Sequence, residues 1–159
     1  MCLSVYLGTN TPIKIPDIIP KGSLGLETAA WTPPTLKGYN YIYFLGQKND
    51  KKQLGCSCLL WEQICWTETA APLESDDTYP EGVECPFETL KRYSETALKD
   101  AASCAIVCDD SNGIQQKCVE ADYHHLFLTP RMIVRGNLIF GGLEPYPSRH
   151  FTVVTETVF

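Results

Sequence analysis

The sequence lacks any apolar run long enough to cross a membrane. Its longest apolar stretches, such as Ala101–Cys108, fall far short of the ~20 residues that a membrane-spanning helix needs. It also lacks the basic start and long apolar segment of a secretory signal peptide, because Gly8 and Pro12 interrupt the chain soon after Leu7. We therefore expect a cytoplasmic protein with no membrane partner.

Basic charge is also scarce. The chain has 13 lysines and arginines against 19 acidic residues, for a net charge of −6. The densest basic group, Lys48, Lys51 and Lys52, encloses Asp50 and is typical of a solvated loop. Because contacts with phosphate need a basic surface, we expect no nucleic-acid partner.

Several catalytic motifs are absent as well. The sequence has no Gly-x-Gly-x-x-Gly fingerprint, phosphate loop, Gly-x-Ser-x-Gly elbow or His-Glu-x-x-His helix. The common nucleotide-binding, α/β-hydrolase and zinc-protease classes therefore have no support in the sequence. No motif indicates which small molecule the protein would bind.

What is present predicts one globular domain over residues 1–159. Hydrophobic residues make up 44% and charged residues 20%, ordinary values for a globular protein. Aromatic and β-branched runs predict strands, most clearly at Tyr39–Leu45 and also at Cys2–Leu7 and Ser103–Cys108. Pro86 and the apolar face that follows it predict the principal helix, over about 86–103. We expect an α+β fold, with a mainly antiparallel sheet and that helix packed on it. Leu24, Leu26 and Trp31 are expected to attach the proline-rich segment 9–34 to the core.

The eight cysteines are the distinctive chemistry. In a reducing compartment they are free thiols, metal ligands or redox groups. Zinc places its sulfur ligands within ~4 Å of one another, whereas a strand separates alternate residues by ~6.6 Å. Cys56 and Cys58 can therefore chelate only if the chain turns between them, and Gly55 makes a turn feasible. Cys2 on a neighbouring strand is the predicted third ligand, with His124 or His125 as the fourth. The set would hold a metal ion, of which zinc is one candidate, or Cys56 and Cys58 would serve as a reactive dithiol.

A resemblance falls on the same cysteines. The opening Met-Cys-Leu-Ser-Val-Tyr-Leu (1–7) and the run from Tyr43-Phe44-Leu45-Gly46 to Gly55-Cys56-Ser57-Cys58 resemble a family of bacterial hypothetical proteins. That family opens with Met-Cys-Leu-Ser-(Ile/Val)-Tyr-Leu and carries Gly-Cys-Gly-Cys, so Ser57 stands here in place of a glycine. It has no established activity, and the resemblance therefore implies positions for a site rather than a mechanism.

Two alternatives of other classes stay open. Removal of Met1 would expose Cys2 as an N-terminal nucleophile whose own amino group acts as the base of a hydrolase. Alternatively, the protein is a non-catalytic binding or homo-oligomerising module in which the cysteines only pack. Cys104 and Cys108 fit that role, because a strand would hold them ~13 Å apart. An aromatic-rich middle would supply the binding surface, with Tyr39, Tyr41 and Tyr43 on one strand face.

Overall fold

The computed structural model describes residues 4–60, 82–109, 124–133 and 149–155. Within these ranges six strands form one sheet, in the order β2-β3-β1-β4-β6-β5. The strands are β1 (Ser4–Thr9), β2 (Leu24–Thr28), β3 (Tyr41–Gln47), β4 (Ser103–Asp109), β5 (His124–Leu128) and β6 (Arg149–Val154). Every neighbouring pair is antiparallel except β5 and β6, which are parallel.

The helix α1 (Pro86–Leu98) packs on one face of this sheet. Pro86 occupies the first turn, where its missing N–H costs nothing, and the helix buries one apolar side on the sheet. Its buried members include Phe87, Leu90, Tyr93, Ala97 and Leu98. The predicted α+β class, with a mainly antiparallel sheet and one principal helix, is confirmed in the described residues.

The helix ends at Leu98, five residues before the predicted end at Ser103. The difference has a geometric cause: Ser103 already begins β4, so the chain needs residues 99–102 to leave the helix and enter the sheet. Short 3-10 turns complete the described structure, at Pro34–Leu36, Cys58–Leu60 and Pro130–Met132. No helix among the described residues is long and apolar enough to span a membrane.

The main core lies between α1 and the sheet. Val5, Leu7 and Leu45 from the central strands are fully buried there, and Leu24 and Leu26 are each 1% exposed. The predicted attachment of the proline-rich segment through these two leucines is confirmed. The prediction for Trp31 was wrong, since its side chain is 46% exposed and meets Tyr6 edge-on, with 5.5 Å between ring centroids.

A second, smaller cluster covers the opposite face of the sheet. Ala105 and Val107 alternate with the core-facing residues of β4 and pack against Leu36. Tyr39 belongs to this cluster, whereas Tyr43 is buried in the main core. The prediction that Tyr39 and Tyr43 share a strand face was therefore wrong: β3 begins only at Tyr41, so Tyr39 lies in the preceding loop.

Candidate functional site

The Gly55-Cys56-Ser57-Cys58 segment runs back along the end of β3. The Gly55 N–H donates to the Gln47 carbonyl at 2.8 Å, and the Gln47 N–H donates to the Cys56 carbonyl at 3.1 Å. Gly46 permits this pairing, because a Cβ at that position would collide with the Gly55 carbonyl oxygen. Gly46 of the motif thus permits a close approach of the two backbone segments.

Ser57 is the buried centre of the segment. Its side chain is 0% exposed, and its hydroxyl accepts a hydrogen bond from the Val5 N–H at 2.8 Å while donating to the Leu45 carbonyl. Val5 and Leu45 are register partners in the β1–β3 pair. The Ser57 hydroxyl therefore links the two strands where their pairing begins. Sequence reasoning missed this role, and the one available clue was a serine standing between two cysteines in place of glycine.

The chain turns immediately after Ser57. The Leu60 N–H donates to the Ser57 carbonyl at 2.9 Å, which closes the 3-10 turn at Cys58–Leu60. Cys56 lies on the extended side of this change in direction and Cys58 on the turned side. The turn thus follows Ser57 and includes Cys58, and its hydrogen bond does not cross the Cys56–Cys58 pair.

The predicted ligands are described to different extents. The side chain of Cys56 is half-buried. Cys58 is described only in its backbone, and Cys2 lies outside the described residues. The sulfur–sulfur distances of this trio therefore stay a prediction. Within the described part of the chain, no three His, Cys, Asp or Glu side chains are grouped closely enough to hold a metal ion.

The sheet does not bring His124 to this segment. In adjacent strands, Val5 pairs with Cys108, Cys108 pairs with Arg149, and Arg149 pairs with His124. Neighbouring strands lie ~4.8 Å apart, so the His124 backbone is about 14 Å from Val5, on the side away from β3. The His124 side chain, like the whole of residues 110–123, is outside what the structure describes.

Cys104 and Cys108 lie inside the main core. Cys104 is 0% exposed and Cys108 2%. Burial raises the pKa of the Cys104 thiol to about 12, and a hydrogen bond with Ser94 of α1 opposes part of that rise. A thiol held protonated in this way is neither a nucleophile nor a metal ligand. The prediction that these two cysteines pack the core is confirmed.

Cys85 is the remaining described cysteine. It immediately precedes α1, where its carbonyl accepts a hydrogen bond from the Thr89 N–H at 3.1 Å, and its half-buried side chain packs against the core. It is not among the predicted ligands.

Comparison with protein-family models, with curated proteins and with solved structures found no match to this chain. The proposed function therefore rests on the geometry of the described residues.

Proposed function

We propose that Cys56, Cys58 and Cys2 form a thiolate site that binds a metal ion, with zinc as the best-suited ion. The observation that carries the proposal is the turn around Ser57. The Ser57 hydroxyl fixes the middle of the Cys-x-Cys unit, and the Leu60 N–H turns the chain directly after it. A fixed turn lowers the conformational cost of bringing two thiolates together.

The position of Ser57 also supports Cys2 as the third ligand. Ser57 bonds to the Val5 backbone, and only three peptide units separate Val5 from Cys2. Since consecutive Cα atoms are 3.8 Å apart, Cys2 can be at most ~11 Å from Val5. A zinc ion held by three protein ligands keeps its fourth position for water or another group. His124 is left out of this proposal because its backbone lies three strands away from Val5.

A reactive dithiol is the second candidate, and the partial exposure of Cys56 favours it. Accessible thiols with thiolate character are the ones that react with oxidants and disulfides. Both versions place the protein in the cytoplasm, where thiols stay reduced. Both also assume no nucleic-acid or membrane partner, in keeping with the net charge of −6. The packing-module and N-terminal-nucleophile alternatives predict neither bound metal nor a reactive pair.

Metal analysis separates these alternatives. Untagged protein purified without chelators is compared with a Cys56→Ser/Cys58→Ser double variant. Cys85→Ser is the control, because Cys85 is also half-buried but immediately precedes α1 and is not one of the proposed ligands. We expect about one zinc ion per chain in the wild type and in Cys85→Ser, and almost none in the double variant, because zinc needs thiolate ligands. Equal metal content in all three proteins would sink the metal site.

Thiol labelling of the native, metal-free protein then tests the dithiol. Alkylation of Cys56 and Cys58 at least ~10-fold faster than that of Cys85 would support it, since the thiolate is the reacting form. If all three cysteines are alkylated at the same slow rate and the protein binds no metal, Cys56 and Cys58 only pack the structure. Intact mass addresses the nucleophile alternative, because a retained Met1 would leave Cys2 without a free amino group.

A further inference from the structure

A lysine-rich loop, residues 48–54, connects β3 with the segment that carries Cys56. Its basic residues are Lys48, Lys51 and Lys52. Both ends of the loop are bonded to one residue, since the Gly55 N–H donates to the Gln47 carbonyl at 2.8 Å and the Gln47 N–H donates to the Cys56 carbonyl at 3.1 Å. The base of the lysine-rich loop therefore lies directly beside Cys56.

Hydrogen bonds inside the lysine-rich loop order it. The Lys51 N–H donates to the side-chain oxygen of Asn49 at 2.8 Å, and the Lys48 ammonium donates to the Lys51 carbonyl at 3.5 Å. The Lys48 N–H donates to the Ser23 carbonyl at 2.8 Å, which attaches the loop to the start of β2. The lysine charges are thus carried by an ordered backbone next to the thiols.

These charges are close enough to act on the thiols through the solvent. Lys48 directly follows Gln47, so the Gln47–Cys56 hydrogen bond places the Lys48 and Cys56 Cα atoms within ~11 Å of each other. Lys52 precedes Cys56 by four residues, so their Cα atoms are at most ~15 Å apart. The Debye length is ~10 Å at 0.1 M salt and ~30 Å at 0.01 M, so the lysine field reaches the site in dilute salt.

The charge of this region is opposite in sign to that of the chain. Within the described residues, the lysine-rich loop and the side chains bonded to it carry four lysines and two carboxylates, namely Lys21, Lys48, Lys51, Lys52, Asp50 and Glu27. The local balance is therefore +2, whereas the whole chain carries −6. A local positive charge raises the encounter rate with anions.

We propose that the dithiol of Cys56 and Cys58 acts on anionic disulfides, which the lysine-rich loop attracts. The inference rests on the reactive dithiol proposed above and adds the charge of its substrate. One cysteine thiolate attacks a sulfur of the substrate, which forms a mixed disulfide and releases the first substrate thiolate. The other cysteine thiolate then attacks the cysteine sulfur of that mixed disulfide, closes the Cys56–Cys58 disulfide and releases the second substrate thiolate. Two electrons pass from the dithiol to the substrate, and the released thiolates take up the two protons that the cysteines lost.

Methanethiosulfonates of different charge test the proposal, because each transfers its thiol group to a thiolate and releases methanesulfinate. The metal-free full chain reacts with the anionic sulfonatoethyl, the cationic trimethylammonioethyl and the neutral methyl reagent, and mass spectrometry of peptides gives the rate at each cysteine. Cys85 is the internal reference, because its nearest charged neighbours in the chain are Glu84 and Glu88. At about 10 mM salt, the anionic-to-cationic rate ratio at Cys56 and Cys58 should exceed that at Cys85 by at least ~5-fold, and at about 1 M salt by less than ~2-fold.

Two double variants of equal net charge separate the lysine-rich loop from the charge of the whole chain. Lys51→Gln/Lys52→Gln changes two exposed residues and should lower the anionic-to-cationic ratio at the dithiol by about 3-fold. Lys37→Gln/Lys99→Gln is the control and should leave the ratio unchanged. Lys37 precedes β3 and Lys99 precedes β4, and both strands begin at the end of the sheet opposite the lysine-rich loop.

True disulfides complete the test. Glutathione disulfide is anionic and cystamine is cationic, and intact mass follows closure of the Cys56–Cys58 disulfide by each. The ratio of the two oxidation rates should fall in Lys51→Gln/Lys52→Gln and stay constant in the control. Fast reaction with the neutral reagent, with no preference for the anionic one over that at Cys85, would overturn the anionic substrate and leave the dithiol. Slow reaction of Cys56 and Cys58 with all three reagents would remove the dithiol, and this proposal with it.

Discussion

The hydroxyl of Ser57 satisfies two buried backbone groups at once. It accepts from the Val5 N–H and donates to the Leu45 carbonyl, and the side chain has no exposed surface. An alanine would fit the space but would leave both groups without a partner. The cost of a buried unsatisfied polar group, about 1–3 kcal/mol, exceeds the net gain from an ordinary hydrogen bond. The small polar side chain at this position thus stabilises the pairing of β1 with β3.

Ser57→Ala should therefore lower the free energy of unfolding by about 2–4 kcal/mol. Urea denaturation followed by circular dichroism measures the change through the transition midpoint. Thr32→Ala is the control, because Thr32 is exposed and the loss of its hydroxyl leaves no buried group without a partner. A loss below about 1 kcal/mol in Ser57→Ala would mean that Val5 and Leu45 re-pair directly when the hydroxyl is gone.

The residues of the candidate site could be located from the sequence, but their roles could not. Composition and the Gly-Cys-Ser-Cys spacing drew attention to Cys56 and Cys58. The structural role of Ser57 depends on a hydrogen bond with Val5, which is 52 positions away in the chain. No local pattern carries such a contact. The same limit applies to Gly46, whose importance arises only from the Gly55 carbonyl that approaches it.

At the scale of elements, one side chain fastens the proline-rich segment to the sheet. The Tyr43 hydroxyl of β3 accepts a hydrogen bond from the Ile13 N–H at 2.9 Å, and both residues are 5% exposed. Prolines at positions 12, 16 and 20 keep this segment from forming a helix that would satisfy its own backbone. A side chain of the sheet supplies the missing partner instead.

Tyr43→Phe should consequently cost about 1–2 kcal/mol of stability, because the Ile13 N–H is left buried without an acceptor. It should also accelerate hydrogen exchange at the Ile13 amide, which reports opening of the segment. Tyr41→Phe is the matched control, two residues away on the same strand and 41% exposed. That variant should stay within about 0.5 kcal/mol of the wild type. Similar losses in both variants would contradict the assigned role of the Tyr43 hydroxyl.

Elements with a strong local pattern could be predicted, and their ends and partners could not. Aromatic residues identified β3, and the apolar spacing after Pro86 identified α1. The helix stops at Leu98 because β4 must begin at Ser103, a constraint that acts through the sheet and not through helix propensity. The parallel pairing of β5 with β6 likewise depends on how distant segments meet.

At the scale of the whole molecule, burial of ionisable groups links stability to pH. The Cys104 thiol faces the core from β4, contacts Ser94 of α1 and has its pKa raised from 9.0 to about 12 by burial. Burial also raises the pKa values of Tyr39 and Tyr93. In each case the folded state favours the protonated form more strongly than the unfolded state does. Stability from these groups is thus fully present below their unfolded pKa values and is lost as pH rises.

For Cys104, the loss begins near pH 9 and continues toward pH 12, the interval between the unfolded and folded pKa values. Each pH unit within it is worth about 1.4 kcal/mol, so the wild type should lose about 2–3 kcal/mol from this group between pH 9 and pH 11. Cys104→Ala has no thiol to ionise and should lose that much less over the same interval. Urea denaturation at successive pH values measures both proteins.

Val107→Ala provides the comparison that separates titration from packing. Val107 is equally buried on β4 but carries no ionisable group, so its substitution should lower stability by the same amount at every pH. The Tyr93 contribution remains in all three proteins and cancels in the differences. The Tyr39 pKa is raised by burial and in part by Cys104, and Tyr39 packs against the cluster that contains Val107, so the comparison is made in a Tyr39→Phe background. If Cys104→Ala falls in parallel with the wild type and with Val107→Ala between pH 9 and pH 11, the thiol ionises in the folded state as readily as in the unfolded chain. That result would mean that water reaches the Cys104 side chain, and it would contradict the complete burial of this side chain in the core between the sheet and α1.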